Sequence, residues 1–383
     1  MIKLFLELEV SPMANNIGEK IKSLRKRKHL TQSDLAELLG YKDKSMIAHI
    51  ENGDSDMPYD KMLLFIKKLN IDANLLFFEE TVVAKEQTVP SKIGPFKRYA
   101  SKDTSMEFGY YYTLVMTLPF AAENKRTVRV WLPEDYDFEN PNKKYPVIYM
   151  SDGHNLVDKK FSAFGDTWEF DKAVQQNMRE GYPGVIAVGI DCPKDPLERT
   201  RELCPPFVPK PEIVLEAGSE LAHSYADKFI RFIIYNLKPL IDKTFHTLPD
   251  RKNTGIGGSS MGGLMSFFAA MIHPEAIGFT LSFSPALFFY DSKDWLNIMK
   301  SYDVKPTEEG KAFLYCGGTG FEAKFLPDVL NSYFYFAGID YKSDRVRLVV
   351  DTDEEHTERA WAKYLPMALR FWFDNKNDKK EEK

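Results

Sequence analysis

The chain has 383 residues, 44% of them hydrophobic and 28% charged, and a net charge of −5. That length allows two or three domains with ordinary cores, and the charge excludes a chain that coats nucleic acid along its whole length. Three cysteines without a C-x-x-C pair argue against a disulfide framework or zinc site and for a reducing cytoplasm; no run of about 18 apolar residues suggests a membrane span.

Met1 to Val10 is apolar but short and carries Glu7 and Glu9, unlike a signal peptide. Ile17, Ile21 and Leu24 recur at helical spacing before the basic run Arg25 to Lys28. Thr31 is a natural N-cap with Asp34 three residues on, and Gly40 ends that helix. A second short helix is expected over about Asp43 to Glu51, with Met46, Ile47 and Ile50 turned inward and Gly53 closing it. Met62, Leu63, Ile66 and Leu69 mark another helix, and Ile71 to Phe78 a last one. Helix, glycine turn, helix is the helix-turn-helix plan. From Glu19 to Glu51 there are eight Lys or Arg and five Asp or Glu, a local basic excess.

Leu30-Thr31-Gln32, Leu35-Ala36, Gly40-Tyr41, Ile47, Ile50-Glu51-Asn52-Gly53 and Pro58 resemble the Cro and phage-repressor (XRE) family of DNA-binding domains. The resemblance implies that Gln32, Lys42, Lys44, Ser45 and His49 face DNA, and that the chain pairs as a homodimer on two half-sites. The predicted DNA-binding domain spans 13–80. A Pro- and Gly-punctuated linker follows over 81–96, and 376–383 is a charged tail.

Residues 97–375 alternate strand-like and helix-like runs. Strands are expected at Tyr110 to Leu118, Thr127 to Leu132, Tyr145 to Met150, Gly184 to Ile190, Thr254 to Gly257, Phe279 to Phe283, Ala312 to Cys316 and Val346 to Val350. Helical periods lie between, as at Ala226 to Ile241 and Phe325 to Phe336. The fold class expected is α/β: a mostly parallel sheet with helices on both faces, preceded by a small all-α helix-turn-helix domain.

Gly258-Ser259-Ser260-Met261-Gly262 is a G-x-S-x-G turn between strand and helix, a nucleophile elbow. Glycines allow a turn too tight for side chains, which lifts the Ser260 hydroxyl out and aims the Met261 N–H at a developing oxyanion. Ser260 needs a base. His356 follows the Val346 to Asp351 strand, on the same sheet edge, and comes last in the Ser, acid, His order. The acid is Glu322, the first carboxylate after Gly317-Gly318-Thr319-Gly320, or Asp328 further on, or is absent, leaving a dyad.

The elbow, Leu132-Pro133, Tyr145-Pro146-Val147, Asp152-Gly153-His154-Asn155, Arg201-Glu202-Leu203, Pro274-Glu275, Ser284-Pro285 and His356 with Trp361 resemble the esterase family of α/β-hydrolases that contains esterase D, feruloyl esterases and enterochelin esterases. The resemblance implies an α/β-hydrolase fold, ester hydrolysis without metal or cofactor, and a second oxyanion donor from the backbone of Gly153 or His154. Trp168, Arg201 and Trp361 are candidate pocket walls. The alternative is a transcription regulator whose hydrolase-like domain senses a small-molecule ester with little turnover.

Overall fold

The computed structural model describes residues 17–28, 30–69, 89–206, 223–291, 310–338 and 345–374. The helix expected at 71–78, the charged tail and the residues before 17 lie outside them. The chain divides into two units, Met1–Gln87 and Thr88–Lys383.

The first unit is four helices: α1 (Ile17–Arg27), α2 (Gln32–Leu39), α3 (Ser45–Asn52) and α4 (Tyr59–Leu69). The start of α2 is set by a reciprocal cap. Thr31 Oγ1 accepts from the Asp34 N–H at 3.1 Å, and Asp34 Oδ2 accepts from the Thr31 N–H at 2.7 Å. Two orphan donors are satisfied at once. Gly40 (φ 70°) and Gly53 (φ 81°) end α2 and α3 in the left-handed region, which glycine enters without a Cβ clash. Ile21, Leu35, Leu39, Ile47, Ile50 and Phe65 form the core. Two expectations fail here. Met46 is 42% exposed and Leu63 49%. The stripes that face inward are Ile47 with Ile50, and Met62 with Phe65 and Leu69, each at helical spacing; Met46 and Leu63 sit one residue off them.

The second unit is one ten-stranded sheet. Its strands are β1 (Lys92–Ile93), β2 (Phe96–Tyr99), β3 (Tyr110–Thr117), β4 (Lys125–Leu132), β5 (Val147–Ser151), β6 (Ile186–Ile190), β7 (Thr254–Ser259), β8 (Phe279–Phe283), β9 (Lys311–Gly317) and β10 (Val346–Asp351). The spatial order is β1-β2-β3-β4-β6-β5-β7-β8-β9-β10. Pairing is antiparallel from β1 through β4 to β6 and parallel beyond. The end of the segment expected as linker is therefore sheet: β1 and the first residue of β2 fall in it, and Phe96 is fully buried.

Both faces of the parallel part are covered, as the unbroken apolar strands require. Alternate residues go to opposite layers. Val147 and Tyr149 of β5 and Leu314 and Cys316 of β9 pack on one side with α7 (Ala226–Phe232), α8 (Lys238–Thr244), α9 (Met261–Ile272) and α10 (Leu326–Gly338). Ile148, Met150, Phe313 and Tyr315 pack on the other with α5 (Phe170–Arg179) and α11 (Glu358–Phe373). Between β6 and α7 lies α6 (Pro196–Leu203). The expected single helix Ala226 to Ile241 is interrupted by a π-turn, Ile233–Leu237, just before Pro239. Proline has no N–H to continue the ladder, and a widened turn accommodates it.

Register builds the site. Ser259 lies beside Phe283, Phe283 beside Tyr315, and Asp351 beside Gly317. The loops that leave these strands all emerge at one carboxyl edge.

Candidate active site

The β7–α9 corner is strained at one residue. Ser260 has φ 57° and ψ −124°, a conformation costly for any residue with a Cβ. The surroundings over-determine it. The Ser260 N–H donates to Phe283 O at 3.0 Å, and Ser260 O accepts from the N–H groups of Leu264 and Ala286 at 3.0 and 3.1 Å. A Cβ on Gly258 would meet the Ser151 hydroxyl and lie 2.8 Å from the Gly262 carbonyl carbon; one on Gly263 would lie 2.6 Å from Phe283 O. At Gly262 the obstacle is the Ser151 side chain.

His356 Nδ1 lies 3.1 Å from Glu322 Oε1, and the Glu322 side chain is fully buried. Asp328 sits instead in the first turn of α10. Two further donors serve Glu322: the Ser284 hydroxyl to Oε1 and Cys316 Sγ to Oε2 at 3.4 Å. Burial pushes the Cys316 thiol well above its ordinary value, with the Glu322 charge adding, so Cys316 keeps its proton. Ser284 itself has φ 44° and accepts from Trp361 Nε1 at 3.1 Å. Three rings enclose the imidazole. Phe325 stacks on it at 4.7 Å, and Trp361 and Phe321 meet it edge-on at 5.0 and 5.6 Å. A ring face favours a cation beside it, and Phe325 presents one to the imidazole. Sequence reasoning did not assign Ser284, Cys316 or Phe325 a task; the signal for Ser284 was its place directly after a strand of the carboxyl edge.

Ser260, His356, His154 and Trp361 line one pocket of about 470 Å³. Met261 is the first residue of α9 and Gly153 and His154 open the 3-10 turn Gly153–Asn155 after β5. N–H groups at such positions have no acceptor within their own helix. Gly153 packs so closely that a Cβ would lie 2.5 Å from the Gly189 carbonyl carbon. Asp152, at φ 52°, enters this turn held by both nitrogens of the Arg199 fork at 2.8 and 2.7 Å. Burial raises its carboxyl, but the Arg199 charge and hydrogen bonds outweigh that and hold it below the usual range.

Of the expected walls, Trp361 lines the pocket and the other two do not. Trp168 is buried behind it, stacked on Phe283 at 5.2 Å and tilted against Trp361 at 5.6 Å. Arg201 pairs with Glu198 one turn back on α6. Its neighbour Glu202 is buried against Arg126 at 3.0 Å, and burial pushes that carboxyl up to about 7.

In the first unit, Lys42, Lys44, Ser45 and His49 are exposed around the start of α3. The Ser45 hydroxyl bonds Asp43, and His49 Nδ1 lies 3.4 Å from Asp54. Gln32 is half-buried, and its Nε2 donates inward to Glu51 Oε2 at 2.9 Å. Arg25 grips the same carboxylate at 2.5 and 3.0 Å and so leaves the basic run to become a core ion pair. Met46 takes a place on the exposed side with Ser45 and His49.

Among the described residues no helix is long and apolar enough to cross a membrane, and no group of three His, Cys, Asp or Glu gathers as a metal site.

Comparison with known proteins agrees with this division. Residues 121–309 match the family model described as "Putative esterase", and residues 21–76 match that described as "Helix-turn-helix". The uncharacterized protein YbbA of Bacillus subtilis (strain 168) is 24% identical over 174 residues, 45% of this chain and 62% of that protein. Among solved structures, the enterobactin esterase FES from Shigella flexneri superposes with a TM-score of 0.51 at 17% identity, over 69% of this chain and 59% of its own. An IroE-like serine hydrolase from Shewanella oneidensis does so with a TM-score of 0.52 at 20% identity, over 68% and 79%. At such identities the likeness speaks to the fold, and the chain spans only about three fifths of the first two relatives. The chain thus joins a segment that matches the helix-turn-helix model to an α/β segment that matches the esterase model.

Proposed function

We propose that the second unit is a serine ester hydrolase and that the first binds DNA. Ser260 Oγ attacks the ester carbonyl, and His356 takes the hydroxyl proton through Nε2. Glu322 keeps Nδ1 protonated, holds the ring, and balances the imidazolium. The N–H groups of Met261 and of Gly153 or His154 receive the oxyanion. His356 returns the proton to the leaving alcohol, and water clears the acyl-enzyme by the same steps. The protein's own groups suffice for this chemistry. The observation that carries the reading is the strained Ser260 facing the same pocket as a histidine whose far nitrogen is bonded to a buried carboxylate. Fluorophosphonate should label the wild type at Ser260 and leave S260A unlabelled. A folded wild type that takes no label sinks the reading. Enterobactin, named for esterases of this fold, joins simple acyl esters in the substrate panel.

For the first unit, Lys42, Lys44, Ser45 and His49, with Met46 beside them, form the DNA face, and a homodimer spans paired half-sites. Its affinity falls with salt as phosphate contacts displace counterions; salt-independent binding would point to a protein-protein module. The helix-turn-helix match also supports a regulator reading, in which the esterase unit senses an ester. Operator binding by S260A with and without that ester separates the two: an ester effect that needs no Ser260 favours sensing.

A further inference from the structure

Glu358 lines the pocket but has no part in the hydrolytic steps. It opens α11 two residues after His356, is 5% exposed, and shares the pocket with Ser260. Its position is fixed from the opposite wall. Asn155 Nδ2 donates to Glu358 Oε1 at 2.9 Å, and Asn155 Oδ1 accepts from the Ala163 N–H at 3.0 Å. The second bond sets which end of the amide faces Glu358. Among the described residues Asn155 is the only other residue that donates to this carboxylate, and no cation pairs with it. Arg199, the nearby guanidinium of the pocket, is already forked on Asp152. Lys194, from the loop before α6, lines the pocket as an exposed residue. Burial pushes the Glu358 carboxyl up and Asp152 and Asp166 add to that, while a hydrogen bond from its own backbone N–H and the nearby His356 oppose it.

Glu358 Oε1 is engaged by Asn155, and the carboxylate lines the pocket with acceptor capacity that a bound molecule can use. Four atoms of the site already answer the reacting ester, so the donor has to come from elsewhere on the bound molecule. We propose that Glu358 is a specificity-determining residue that reads a hydrogen-bond donor, a hydroxyl or an ammonium, carried by the substrate near its scissile ester. The inference rests on the hydrolase reading and adds the substrate class to it: donor-bearing esters rather than plain aliphatic ones. An ammonium needs the charge of the carboxylate, whereas a hydroxyl can donate to any carbonyl-type oxygen. The two sources are therefore separable by an amide at this position.

The test uses the full chain and compares kcat/KM near neutral pH on two sets of esters. On the acyl side these are propyl butyrate, propyl beta-hydroxybutyrate and propyl beta-aminobutyrate. On the alcohol side they are the butyrates of propanol, propanediol and dimethylaminopropanol. Each enzyme is its own reference, and the readout is the ratio of donor-bearing to plain ester. The wild type should favour a donor on one side by about 10- to 100-fold, the range for a hydrogen bond to a charged group. In E358A that ratio should fall to near one. E358Q should lose an ammonium preference and keep a hydroxyl preference; if E358A fails to fold by circular dichroism, E358L takes its place. A wild type without preference on either side overturns the proposal, as does any preference unchanged in the folded alanine or leucine variant or an ammonium preference unchanged in E358Q, which would leave Glu358 as a brace for Asn155 alone. Fluorophosphonate labelling without any donor preference removes this proposal only. A folded wild type that neither labels nor turns over any ester removes the hydrolase reading and this with it.

Discussion

Glu51 in the first unit and Glu322 in the second are both buried carboxylates with opposite kinds of partner. Glu51 meets Arg25, a cation at every working pH, and adds the Gln32 amide. Glu322 meets a hydroxyl, a thiol and an imidazole. The first arrangement is a fixed tie between α1, α2 and α3. The second has no permanent counter-charge. Equal burial therefore says little about purpose; what decides is whether the partner carries a permanent charge.

The largest effects should come from breaking the reactive half. S260A should lower kcat on a p-nitrophenyl acyl ester by about 10⁴-fold or more while DNA affinity, measured by fluorescence anisotropy, stays put. E322Q should follow with about 10³- to 10⁴-fold, because an amide can impose the wrong histidine tautomer; a loss under tenfold would mean that Ser260 and His356 act as a dyad.

Breaking the fixed half should cost stability instead. E51Q leaves Arg25 buried without its counter-charge and should destabilise the first unit by about 3–5 kcal/mol, read by urea unfolding with esterase activity unchanged. Replacing both Arg25 and Glu51 with methionine should cost much less. Burial raises the Glu51 carboxyl, but the hydrogen bonds from Arg25 and Gln32 and the charges of Arg25 and Lys22 outweigh it and leave it below the ordinary value. A depressed folded value stabilises above the ordinary carboxylate range and is lost as pH falls through it. Wild type should therefore lose stability toward acid in that window, and E51Q should lose less.

The smallest effect sharpens the contrast. Ser284 donates to the same Glu322 oxygen as His356. S284A removes one donor from that carboxylate and should lower kcat/KM by about threefold to tenfold, the scale of one net hydrogen bond.

The sequence was most readable where one physical rule dominated. β8 matches its expected span, and the β5, β6 and β9 segments are unbroken apolar runs that only a sheet covered on both faces can accommodate. The caps at Thr31, Gly40 and Gly53 are local chemistry and were equally plain. β1 and β2 were hidden because Lys92, Lys97 and Arg98 face out and Gly94 and Pro95 resemble a linker. α6 was missed because its charged residues form a buried ion-pair layer with no apolar stripe to betray it. The inward bonds of Gln32 and Arg25 were not legible for one reason: they depend on Glu51, a residue whose burial depends on how three helices pack. Ser260 and His356 could be read as candidates from motif and chain order. The relay from Trp361 through Ser284 to Glu322 joins segments far apart in the chain, and no local pattern encodes it.

The short exit from β8 touches both halves of the chemistry. Phe283 and Ala286 bond the backbone of Ser260, while Ser284 between them grips Glu322. Ser260 and Glu322 are thus mounted on one bracket and would shift together if it moved. An insertion there should damage both parts in a single stroke, whereas the segments around Phe164 and Lys194, which border the pocket without joining that bracket, are free to be remodelled for new substrates.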